Sequence, residues 1–140
     1  MAISYTNTIN SVIMDSIEKL LEDEFNIPVS HEHSGNESIT LNPVEDNLIE
    51  NLSSAQTRNY VVDIVYTMAK AGGFEIVKDH LTNRAERIKR LLFNNSNYSP
   101  SGTLKFFNGQ VNSIAYENDE DDPGLWRANI SFTCDSLESL

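Results

Sequence analysis

From Trp126 to Cys134, the apolar residues Trp126, Ala128, Ile130, Phe132 and Cys134 alternate with Arg127, Asn129, Ser131 and Thr133. A period of two places every apolar side chain on one side of a strand. A strand patterned in this way leaves one face to be covered, so the chain must supply either a second sheet or helices. A second run, Asn59 to about Ala69, places Tyr60, Val62, Ile64, Tyr66 and Met68 on one side and Val61, Asp63, Val65 and Thr67 on the other. It is apolar on much of both faces and is expected to be central.

Two helical stripes supply the cover. Ile9, Val12, Ile13, Ile17, Leu20, Leu21 and Phe25 recur at helical spacing and predict a helix over about residues 6–25. Thr6 or Thr8 is its expected cap, and Pro28 with the extended bias on Ile27 its end. Phe74, Val77, Leu81, Ala85, Ile88, Leu91 and Leu92 predict a second helix to Phe93, after a break at Gly72-Gly73. Further strands are expected at Ile27 to Ser34 and Ser38 to Leu41, joined at Gly35-Asn36 and stopped by Pro43. Thr103 to Phe107 and Gln110 to Glu117 flank Asn108-Gly109, a two-residue hairpin signal. Residues 42–58 read as a long loop anchored by Leu48, Ile49 and Leu52, and loops of that length tend to be functional. The expectation is a single α+β domain over residues 1–140: two layers, with a mostly antiparallel sheet and two amphipathic helices packed on one face.

The 140 residues carry a formal charge of -11, which argues against a reader of nucleic acid with a basic stripe. The charge is segregated: net -9 over residues 1–50, +4 over 51–110 and -6 over 111–140. Arg84, Arg87, Lys89 and Arg90 form a cluster on the second helix. One reading is a solvated helix face balanced within the chain. The other is a protomer with a basic and an acidic side that meets its neighbour head to tail, a contact that closes into rings or runs on as filaments. The N-terminus lacks a basic segment and a long apolar run, and no stretch approaches the roughly 20 apolar residues of a membrane span. With one cysteine the fold needs no disulfide. A soluble cytosolic protein is expected.

Catalytic patterns are sparse. His31 and His33 lie two apart on a strand and point the same way, and with His80 or an acid they would make a metal edge; two exposed imidazoles is the favoured reading. Asp119 to Asp122 has a calcium-loop composition without its ligand spacing. Cys134 reads as a buried thiol. Asp63, inside an apolar strand, is expected to pair with Arg58, Lys70 or a base from the second helix, or to face solvent or a partner subunit. Glycine-rich phosphate loops, nucleophile elbows and zinc patterns are not found in the sequence. No enzyme, cofactor or metal site is expected.

The order of elements resembles a known family. It runs from an amphipathic helix to a strand opening Ile27-Pro28-Val29, a long loop, and the strand Tyr60-Val61-Val62-Asp63-Ile64-Val65-Tyr66. A second helix and a closing pair, Val111 to Tyr116 and Trp126 to Cys134, follow, with an acidic turn before Trp126. This layout is similar to the tail terminator (tail completion) proteins of long-tailed bacteriophages, across nearly the whole chain. The resemblance implies a non-enzymatic virion tail protein, assembled in the host cytoplasm. Its hexameric ring would cap the tail tube, end tube polymerisation and dock the head connector, with DNA only as passing cargo. Self, tail-tube protein and head-tail connector are the implied partners, and no membrane is involved. The alternative is a small acidic protein-binding adaptor.

Segment charge and loop length nominate three surfaces. Arg84, Arg87, Lys89 and Arg90 form a candidate subunit or connector contact, and Asp119, Glu120, Asp121 and Asp122 its candidate acidic partner. Asp46, Glu50, Asn51, Ser53 and Ser54, on the long loop, form a candidate lumen or tube-docking surface.

Overall fold

The computed structural model describes residues 2–25, 29–30, 37–69, 74–122 and 124–139. The expectations at Pro28, at His31 and His33, at the Gly35-Asn36 turn, at Lys70 and at Gly72-Gly73 lie outside the described residues.

The first apolar stripe forms a wide π-type stretch, Ile9–Met14, that runs straight into α1, Asp15–Glu24. The threonines do not cap it. Asn7 Oδ1 instead accepts the Asn10 backbone N–H at 3.3 Å, while Thr8 is buried. Ile13, Ile17, Leu20, Leu21 and Phe25 are buried along the stripe.

The strands are β1 (Val29–Ser30), β2 (Glu37–Asn51), β3 (Ala55–Ala69), β4 (Phe107–Asn118) and β5 (Leu125–Ser139), and the second helix is α2 (Phe74–Asn94). They form one sheet in the order β1-β2-β3-β5-β4, in which β1 runs parallel to β2 and every other pair is antiparallel. The register sets Tyr60 opposite Cys134, Val62 opposite Phe132, Ile64 opposite Ile130 and Tyr66 opposite Ala128. All eight are buried on the helix-covered face. The first helix lies over β2 and β3, and α2 lies over β3, β5 and β4. Val77, Leu81, Ala85, Ile88 and Leu92 close the core from above. Each large apolar side chain so buried stabilises the fold by about 1.5–3 kcal/mol. The domain is thus α+β, with both helices on one face of a mostly antiparallel sheet.

Three further expectations are corrected. Residues 42–58 are not a loop. They belong to a long hairpin in which β2 pairs with β3 as far as Asn51 opposite Gln56, leaving a short turn at 52–54. Pro43 does not stop the strand; among the described residues β1 flanks β2 at Ile39 and Thr40 and not beyond. Beyond that point β2 has no outer partner among the described residues, and it carries bulges between Pro43 and Glu45 and between Leu48 and Glu50. Edges and bulges are where a strand tolerates proline. The Asn108-Gly109 pair is likewise not a hairpin turn. It lies inside β4 as a bulge between Phe107 and Gln110, with Asn108 at φ 53°. Phe106 instead pairs back to Tyr98, and their rings stack at 5.4 Å.

Candidate assembly surfaces

The outer half of the β2–β3 hairpin is an arm. From residue 42 onward every β2 residue is exposed. On or beside the arm, Val44, Leu48, Ile49, Leu52 and Leu137 are 42–56% exposed, although all are strongly apolar. Polar contacts stiffen it: Arg58 pairs with Asp46 at 2.5 Å and donates to Gln56 at 2.7 Å, and Gln56 donates to Asn51 at 3.1 Å. Tyr60, at the arm's base, donates to Glu138 at 3.0 Å. Asp46 and Asn51 thus hold the arm's own geometry, whereas Glu50, Ser53 and Ser54 are exposed near its tip.

The basic helix face divides. Arg87 bridges the helices: its guanidinium binds Glu24 at 2.9 Å and sits 4.7 Å over the Phe25 ring. Arg84 lies 3.7 Å from Glu37. Lys89 and Arg90 share Glu86, at 2.6 and 3.0 Å, and their hydrogen bonds hold its carboxyl below the usual carboxylate range. Two cations on one carboxylate leave a net positive patch. Lys89, Arg90 and the 72% exposed Phe93 line one wall of an open cavity of about 530 Å³; Gly109, Gln110 and Val111 of β4 line the other.

The acidic turn lies at the opposite end of the sheet from the arm's tip, beside the Ala69–Leu125 pair. Asp119 is occupied within the chain. Arg127 binds it at 2.7 Å and the backbone N–H groups of Asp121 and Asp122 donate to it, which holds its carboxyl low. Glu120, Asp121 and Asp122 are exposed. The three nominated surfaces therefore stay separate within one chain.

The fold also assembles a polar cluster that sequence spacing did not nominate. Tyr66 Oη donates to Glu37 Oε1 at 2.5 Å, His80 Nε2 lies 2.5 Å from the same oxygen, and Arg84 Nε is buried without a hydrogen-bond partner among the described residues. Burial and the Glu37 carboxylate push the Tyr66 phenol above its ordinary value. Glu37, Tyr66 and the α2 pair His80 and Arg84 come from three separate elements, and a lone His on a helix carries no signal of its partners. Cys134 is fully buried, and burial pushes its thiol up to about 12. Asp63 sits between Asn42 and Ser131 on the sheet face away from the helices. Among the described residues no group of three or more His, Cys, Asp or Glu could hold a metal, and no helix is long and apolar enough to cross a membrane.

Neither a protein-family profile nor a curated protein sequence matches the chain. Among solved structures, it is similar to a chain of the virion of a native gene transfer agent particle. The TM-score is 0.60 at 10% identity, over 96% of this chain and 100% of that one. At that identity the likeness is one of fold.

Proposed function

We propose that this protein is a structural component of a phage-like virion and, within it, a tail terminator. In that role a ring of copies caps the tail tube, ends its polymerisation and offers a docking surface to the head connector. The observation that carries the reading is the end-to-end fold match to a chain of a gene transfer agent virion. The element order read from the sequence supports the finer role, and so does the distribution of surfaces. The exposed apolar outer half of β2 lies on one flank of the sheet and the cationic groove opens on the other, an arrangement that suits a head-to-tail ring. The sheet face away from the helices carries Asp63, Glu117 and Asp135 against Arg127. An acidic face suits a channel wall that DNA passes without adhering. No catalytic role enters this reading.

The test is to add the purified chain to tubes polymerising from a cognate tail-tube protein. Shorter tubes, each ending in a ring under negative-stain microscopy, are expected. Unchanged tube lengths with bare ends would overturn the reading. The adaptor alternative draws on the ion pairs that balance Arg87, Lys89 and Arg90 within the chain; a stoichiometric complex with some other protein, and none with tubes, would favour it.

A further inference from the structure

We infer that the β2–β3 arm of one copy docks into the α2/β4 groove of the next, with Leu48, Ile49 and Leu52 packing against Phe93 and Val111. The inference rests on the ring reading only for closure; the contact itself follows from the surfaces. Large apolar side chains stay exposed in two places suited to each other: the arm, where Leu48 and Ile49 are each 52% exposed, and the groove, where Phe93 is 72% exposed. Clustered apolar exposure of this kind marks an interaction site. The charges match. The arm carries Glu45, Asp46 and Glu50 against Arg58, which Asp46 already binds, and the groove carries Lys89 and Arg90 against Glu86 alone.

An arm cannot reach its own groove. In the order β1-β2-β3-β5-β4, the arm's β2 and the groove's β4 lie on opposite flanks with β3 and β5 between them. Neighbouring strands are about 4.8 Å apart, so three spacings already separate the two by roughly 14 Å across a stiff sheet. The occupant is therefore a second copy, and the contact is heterologous. Among the described residues the outer flanks of β2 beyond Thr40 and of β4 are unpaired; both strands carry bulges, and β2 also carries Pro43 and carboxylates. These features discourage indiscriminate strand pairing. Selectivity then falls to the side chains: apolar groups enter the groove and the arm's carboxylates face its cations.

Disulfide trapping on the full chain tests this directly, since the native Cys134 is buried. Ser53→Cys at the arm's turn and Gln110→Cys on the groove wall should cross-link, when the two chains are mixed, about tenfold faster than Ser53→Cys with Thr103→Cys, an exposed site outside the groove. Phe93→Ser in the Gln110→Cys chain should remove that advantage. Equal rates for the two pairs would overturn the inference. A charge exchange gives a second reading. A Glu45→Lys/Glu50→Lys chain and a Lys89→Glu/Arg90→Glu chain should each lose trapping alone and regain it when mixed with each other, because each arm then meets an opposite groove. Trapping retained by either chain alone, or not regained by the mixture, would also overturn it. The two proposals fail separately. Closed rings without arm–groove trapping refute this contact and leave the terminator reading standing. Trapping without tube capping refutes the terminator reading and leaves this contact standing.

Discussion

Gly109 shows how a local signal can be right about backbone freedom and wrong about its use. Asn108-Gly109 predicts a turn, and the pair does break regular pairing, but as a bulge within β4. A side chain there would be crowded: a Cβ would meet Phe132 Cζ at 3.1 Å and Ser96 Cα at 3.2 Å. Phe132 is fully buried and edge-packed on Phe106 at 5.8 Å, so it has little room to yield. Gly109→Ala should therefore destabilise the fold by about 1–3 kcal/mol in urea denaturation; a neutral or stabilising result would show that the ring moves aside. Glu37 gives a pH prediction. Burial raises its pKa, but hydrogen bonds from Tyr66 and His80 and the charge of Arg84 outweigh burial and leave it lowered. A carboxyl depressed in the folded state contributes stability that is present above its unfolded pKa and lost as pH falls through its folded value. Glu37→Ala should cost about 1–3 kcal/mol near neutral pH, with the difference from wild type narrowing on acidification. A pH-independent difference would assign the loss to packing. The cluster was not legible in advance because Glu37, Tyr66, His80 and Arg84 meet only through the β2–β3 register and the seat of α2.

Both helices and the two central strands were legible from periodicity, because each buries a regular stripe of apolar side chains against the core. The arm was not. Its residues alternate weakly, its apolar members Val44, Leu48, Ile49 and Leu52 stay exposed, and β3 supplies the pairing that makes it a strand. Replacing Leu48 and Ile49 with Ser should accordingly change the unfolding free energy by only about 0.5 kcal/mol or less. A loss of several kcal/mol would mean that the arm belongs to the core. The joint between α1 and α2 behaves differently. Arg87 combines an ion pair to Glu24 with a cation–π contact on Phe25, so Arg87→Ala should cost about 0.5–1 kcal/mol by thermal denaturation. The α2 core stripe is more sensitive, and Leu81→Ala, at a fully buried site, should cost about 2–5 kcal/mol.

Charge segregation takes on a different meaning once the chain is folded. The basic segment is largely balanced within the chain by Glu24, Glu37 and Glu86, and Asp119 by Arg127, so net charge by segment overstates the contrast between surfaces. What remains unbalanced is narrower: the arm's carboxylates, the Lys89–Arg90 patch and the acidic sheet face. If assembly depends on the arm and groove, association should weaken with added salt while unfolding stability stays nearly constant, because exposed charge contacts are screened over about 8–10 Å at ordinary ionic strength. Sedimentation and denaturation on the same samples would show the two responses part, and parallel losses would contradict it. Periodicity of two and of 3.6 determined the fold class, the helix spans, the central strand and the buried thiol, since these follow from which residues must leave water along a single element. The length of the hairpin arm, the bulge at Gly109, the Tyr66–Glu37–His80 cluster and the separation of arm and groove to opposite flanks were decided by tertiary structure alone. Each depends on pairing between distant segments, and no local pattern encodes a partner's register.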